Sequence, residues 1–181
     1  MPRGPREHDM TEVLPPELQA FIGAEAIPVV TMRDAIDMST IRRWCDVIGE
    51  TNPLYLDEAY ARTTEFGGRA APPAMLDVWT VPFYDPDRKT AGDHMPVMAA
   101  LTAMGYPAAV ATNIEQEYVR YLKPGDKVTC RSIVESISAE KTTSLGRGRF
   151  IYVRNDYIDQ NGESVGLMRL GMFKFEPAIR K

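Results

Sequence analysis

The chain predicts an α+β fold, with short helices first and an antiparallel sheet after them. Three observations carry that expectation. Ile41, Trp44, Cys45 and Ile48 recur at i, i+3, i+4 and i+7, the spacing of one apolar helix face. Ala74, Met75, Leu76, Val78 and Trp79 make a segment apolar almost all round, which predicts a buried helix. From Ala109 onward the pattern changes to an alternation of period two, broken by turn-forming clusters. With 181 residues, 44% of them apolar and 25% charged, the chain can bury the core of one domain.

The elements follow in order. Met1 to Glu17 is charged and Pro-rich and lacks the apolar stretch of a signal peptide, so residues 1–25 read as a flexible arm. Residues 26–177 read as the domain and 178–181 as a tail. Ile27 to Met32 reads as a first strand, with Pro28 suiting an edge. Ser39 is the expected cap of a helix reaching Ile48 and stopped by Gly49. Asn52-Pro53 forces a turn, and Asp57 caps a short helix to about Thr64. Pro72-Pro73 opens the buried helix, which Pro82 and Pro86 should cut short because proline has no amide donor. Residues 85–95 read as a polar loop and Pro96 to Met104 as a further helical piece. Four strands are expected near 110–122, 127–139, 148–159 and 163–175, as an antiparallel meander. Its turns are Lys123-Pro124-Gly125-Asp126, Gln160-Asn161-Gly162 and, more weakly marked, Gly146-Arg147-Gly148.

Composition removes several function classes. The net charge of −4, without a basic run, argues against a nucleic-acid partner. No segment approaches the roughly 18 apolar residues of a membrane span. Cys45 and Cys130 lack metal-type spacing and read as reduced, packed thiols of a cytoplasmic protein. His8 and His94 are the only imidazoles, so no metal site is expected. There is no Gly-rich nucleotide loop and no Gly-x-Ser-x-Gly elbow.

The most informative stretch is Gly49-Glu50-Thr51-Asn52-Pro53-Leu54-Tyr55. It opens the block GETNPLYLDEAYA, and APPAM and EYVRYLKPGDKV follow it in order. On these blocks the chain resembles the MaoC-like, or FAS1-like, dehydratase family, and in particular its N-terminal, often non-catalytic half. The resemblance runs from about Ala26 to Glu176 and selects a single hot-dog fold: an antiparallel sheet wrapped around a central, here shortened, helix. VPFYDPDRKTAGD and GYPAAVATNIEQEY also look like non-catalytic hydratase subunits of bacterial steroid side-chain degradation, which pair with a catalytic MaoC-like subunit.

Active members of that family carry Gly-Asp-x-Asn-Pro-aliphatic-His. Here Gly49, Asn52, Pro53 and Leu54 match, but Glu50 replaces the Asp and Tyr55 the His. An imidazole exchanges protons near neutral pH, whereas a phenol with a reference pKa of about 10 is a poor base there. The degenerate positions Glu50, Asn52 and Tyr55 are therefore expected to be non-catalytic. Where the family often has His-Gly, Pro72-Pro73 removes an amide donor for the thioester oxygen, leaving the Ala74 N–H.

The resemblance implies a subunit of a heteromeric enoyl-CoA hydratase, with a coenzyme A thioester as substrate and no separate cofactor. A MaoC-like partner would supply Asp and His. Pro73, Ala74, Met75, Trp79, Phe83 and Tyr84 are candidates for the acyl pocket, with ordinary core packing the plainer reading of the aromatics and methionines. Arg120, Lys123, Arg147 and Arg149 are candidates for the coenzyme A phosphates or for solvated turns. Two rivals remain open: a homomeric hydratase using Glu50 with Tyr55, and a non-enzymatic interaction module of a longer protein. A thioesterase is a weaker reading, because that chemistry does not need the Asn-Pro motif.

Overall fold

Asp37, not Ser39, opens the first long helix. Its carboxylate accepts the Ser39 and Thr40 amides at 2.8 and 3.0 Å and the Thr40 hydroxyl at 2.7 Å. These bonds stabilise the ionised form and hold the carboxyl at about 2. The structure, a computed structural model, describes residues 14–81 and 95–178. Expectations for His8, Pro82, Phe83, Tyr84, Pro86, His94 and the loop at 85–94 lie outside the described residues.

The helices are α1 (Pro16–Gln19), α2 (Met38–Ile48), α3 (Pro53–Leu56), α4 (Glu58–Arg62) and α5 (Pro96–Ala103). The strands are β1 (Glu25–Thr31), β2 (Ala108–Tyr118), β3 (Val128–Ile137), β4 (Lys141–Thr142), β5 (Gly146–Asp159) and β6 (Ser164–Pro177). Part of the proposed arm is packed: Leu18 on α1 is fully buried, and the Gly23 amide bonds to the Val134 carbonyl at 2.8 Å. Asn52-Pro53 is more than a turn, because the Asn52 side chain caps α3. The buried segment after Pro72 is not an α-helix. It is two one-turn 3₁₀ pieces, Pro73–Met75 and Val78–Thr80.

The sheet runs in the order β1-β3-β5-β6-β2, with β4 paired to β5 outside that path. Only β3, β5 and β6 form a meander. β2 crosses to the far side and pairs antiparallel with β6, so the Lys123–Asp126 turn links strands that are not neighbours. The turn itself forms as its residues dictate, with Gly125 at φ 99° and the Asp126 amide bonded to the Lys123 carbonyl at 3.0 Å. The weakest expected turn moves upstream: Thr143 and Gly146 exchange backbone hydrogen bonds, and Gly146-Arg147-Gly148 already lies in β5. A Cβ on Gly148 would sit 2.2 Å from the Lys174 carbonyl oxygen, so β5 and β6 approach too closely there for any side chain.

Two apolar clusters cover the inner face. One joins α2 and α3 to Met75, Leu76, Trp79, Val128, Tyr157 and Met168. The other joins α1 and α5 to Val134, Ile151, Val153 and Met172. Among the described residues no helix is long and apolar enough to cross a membrane.

Candidate functional site

Gly49, at φ 72°, ends α2 in the left-handed conformation that glycine tolerates, and the chain turns into the motif. The Glu50 carboxylate folds back on its own loop and accepts the Asn52 amide at 2.8 Å. The Asn52 Oδ1 in turn accepts the Leu54 amide at 3.0 Å, and Pro53 occupies the first helical position. The Asn-Pro pair thus builds α3, whose first turn directs Tyr55 inward.

Tyr55 is only 6% exposed and packs with Cys45, Leu54 and Ala61, with half-buried Tyr121 against that cluster. Burial, the neighbouring Tyr121 hydroxyl and the Glu50 charge push its phenol up to about 12. A phenol held that high stays protonated at neutral pH and is a poor base there. Glu50, meanwhile, serves as a loop cap. Glu50 is near enough for its charge to act on the Tyr55 phenol, while its carboxylate is bonded to the Asn52 amide.

The Pro72-Pro73 segment is pinned to the strand side by the Ala71 amide, which bonds to the Leu122 carbonyl at 2.7 Å. Pro73 is half-buried and Ala74 exposed, whereas Met75 is fully buried. Ala74 is in the first turn, so its amide has no acceptor within the turn. Met75 and Trp79 belong to the core cluster with Cys130, Tyr157 and Met168. The indole N–H of Trp79 is buried without a hydrogen-bond partner among the described residues.

The cationic candidates are engaged by the protein. Arg120 bridges Asp126 at 2.7 Å and Asp159 at 2.9 Å, and both carboxylates raise its pKa. Lys123 donates to the Phe66 carbonyl at 2.6 Å. Arg147 pairs with Glu176 at 3.0 Å and Glu140 at 3.5 Å. Arg149 is 3% exposed and donates to the Ser138 carbonyl at 3.0 Å. Arg120 and Lys123 line an open cleft of about 550 Å³ beside Tyr121. Glu65, Asp126, Asp159 and Glu163 also line it, so carboxylates outnumber cations and the cleft disfavours phosphate. Among the described residues no group of His, Cys, Asp or Glu is placed to hold a metal ion.

The sequence pattern missed Tyr121 and the Arg120–Asp126–Asp159 bridge. Tyr121 was legible only as one position of an alternating strand. The bridge joins residues up to 39 positions apart, beyond the reach of local pattern.

A sheet in this order, with short helical segments on its inner face, defines the hot-dog class. Within it, the chain belongs to the family described as "FAS1-like, dehydratase domain region", whose sequence model matches residues 20–168. It is 40% identical over 164 residues to a "Probable enoyl-CoA hydratase alpha subunit" of Thermomonospora curvata, covering 88% of this chain and 51% of that protein. It is 37% identical over 148 residues to the "3-oxo-4,17-pregnadiene-20-carboxyl-CoA hydratase alpha subunit" of Mycobacterium tuberculosis, covering 81% and 47%. The chain therefore spans about half the length of these curated relatives. Among solved structures, a chain of the ChsH1-ChsH2 complex from Mycobacterium tuberculosis superposes with a TM-score of 0.76 at 32% identity, covering 91% of this chain and 90% of that one.

Proposed function

We propose that this chain is a non-catalytic, acyl-site-forming subunit of a heteromeric enoyl-CoA hydratase that adds water to a bulky, steroid-derived 2-enoyl-CoA. The observation that carries the reading is Tyr55: a buried phenol, pushed up to about 12, stands where active members of the family carry histidine. The proton shuttle must then come from another chain, a MaoC-like partner with intact Asp and His. The similarity to proteins named as hydratase alpha subunits, and to a chain of a two-component complex, supports the same assignment. So does the edge of β2, which has no strand beside it among the described residues and where a second sheet can continue the first. In this reading the thioester is the substrate, no further cofactor is needed, and the site of action is the cytoplasm.

The test is reconstitution. The purified chain alone should show no hydration of crotonyl-CoA or of a polycyclic enoyl-CoA, and adding the MaoC-like partner should start turnover. Robust turnover by the isolated chain, abolished by Glu50→Gln, would refute the reading and favour the homomeric alternative.

A further inference from the structure

β2 carries different chemistry on its two faces. Beyond the register shift between Ala111 and Asn113, Ile114, Gln116 and Tyr118 lie opposite Leu170, Met168 and Gly166 on the inner face. Asn113, Glu115 and Glu117 lie opposite Gly171, Arg169 and Leu167 on the outer face. Both glutamates are exposed. Arg169 pairs with Glu135 at 3.2 Å and with Glu117 at 3.4 Å. Its neighbour on β5, Arg154, is paired with Asp156 at 3.1 Å. One guanidinium thus faces three carboxylates, Glu115, Glu117 and Glu135, and the outer row at the open edge is net negative.

Charges on an edge strand can serve only to repel other strands. Here the other guards are missing: β2 contains no proline, and Ile114 and Tyr118 stand exposed on its inner face. Bare apolar side chains favour association, so the charges sort partners rather than refuse them all. A second copy of this chain fits badly. Both inner faces must lie on one side of a shared sheet, so antiparallel pairing of two β2 strands joins like faces. Pairing about Glu115 sets the two Glu115 side chains opposite each other, and pairing about Glu117 does the same for Glu117. Pairing about Gln116 sets Glu115 opposite Glu117 at both ends, and pairing about Ile114 leaves the two Glu115 on a diagonal. Like charges directly opposite destabilise a strand pair, whereas opposite charges stabilise it.

We propose that the outer row of β2 selects the partner subunit: it takes an edge strand that presents Lys or Arg to Glu115 and Glu117 and apolar residues on the inner side, and it disfavours a second copy of this chain. The inference rests on the two-subunit reading above. It deepens that reading by naming the chemistry of the partner's edge and the reason the chain does not complete the sheet with itself. Ile114 and Tyr118 supply the apolar contact at the centre of the junction, and the carboxylates at its rim decide which strand is accepted.

The test measures association by sedimentation, once with the MaoC-like partner and once for the chain with itself. The double variant Glu115→Lys/Glu117→Lys should bind the partner at least about tenfold more weakly than wild type, and raising the salt concentration should narrow that gap. Glu17→Lys/Glu25→Lys makes the same change of net charge away from β2 and should leave the affinity within about twofold. With no partner present, Glu115→Gln/Glu117→Gln should self-associate at least about tenfold more tightly than wild type. All four glutamates are exposed, so the variants should keep the fold, which urea unfolding checks. An undiminished affinity of the Lys variant for the partner, or equal self-association of wild type and the Gln variant, would overturn the selection and leave the hydratase reading standing. If the partner neither binds wild type nor starts turnover, the two-subunit reading falls and the selection falls with it.

Discussion

The two edges of the sheet are built on opposite plans. β1 is seven residues long, carries Pro28, and changes register twice along β3. Proline and irregular pairing blunt an edge against addition of another strand. β2 is eleven residues long, contains no proline and has one register shift. The inner faces differ too. On β3, Val128, Cys130, Ser132 and Val134 are all buried, whereas Ile114 and Tyr118, on the same face of β2, are 61 and 46% exposed. One half of the sheet is covered by the described residues. The other is left bare by the described residues, as the proposed assembly across β2 would need.

That contrast can be tested first with one substitution at two places. Ile151→Ala, at a fully buried position of β5, should destabilise the isolated chain by about 2–5 kcal/mol in urea unfolding. Ile114→Ala on β2 should change it by no more than about 0.5 kcal/mol. Similar values at both sites would mean that β2 is not bare. Next, Ile114→Lys should weaken association with the partner by about tenfold in sedimentation experiments, as expected for a desolvated charge at an interface. Val29→Lys, a 44%-exposed position of β1, should leave association within about twofold. The opposite ranking would reverse the assignment of the edges.

A third prediction concerns the covered half. Asp37→Ala should cost about 1 kcal/mol through loss of the α2 cap. The folded-state pKa of Asp37 lies below its ordinary value of 3.8, at about 2. Its contribution is therefore present above pH 4 and disappears as pH falls toward 2, and the acid-unfolding difference between wild type and variant should vanish there. The smallest effect is expected at Tyr55. In the complex, Tyr55→Phe should leave kcat within about twofold, because a neutral phenol supplies no base. A larger loss would make the covered half a participant in the chemistry. Absorbance titration should also find Tyr55 ionising only at about pH 12, with the more deeply buried Tyr157 resisting longer, and Tyr55→Phe should remove the first of these two late steps.

Much of this architecture was legible in local pattern. The span of α2, the Gly49 stop, the Asp57 cap and the Asn161 hairpin follow from spacing and turn chemistry. The α2 stripe was read slightly off, since Ile41 and Cys45 are buried but Ile48 is 54% exposed at the helix end. The passage of β2 across the sheet was not legible, because strand order depends on pairings far apart in sequence. Nor were the 3₁₀ turns after Pro72, where packing on β3 replaces helix propensity. At the site, the substitutions at Glu50 and Tyr55 could be read directly. The engagement of Arg120 by Asp159 could not, and it turns a phosphate candidate into a structural tie.

The enclosure of Tyr55 also bears on how this chain can change. Tyrosine and histidine codons differ by one base, as can glutamate and aspartate codons, so the full proton-handling motif is within short mutational reach. An imidazole placed in that apolar pocket would have its charged form disfavoured, and its basicity would fall. Reversion at the genetic level would therefore not restore a working acid–base pair until the walls around it, Cys45 and Tyr121 first, had also been remodelled.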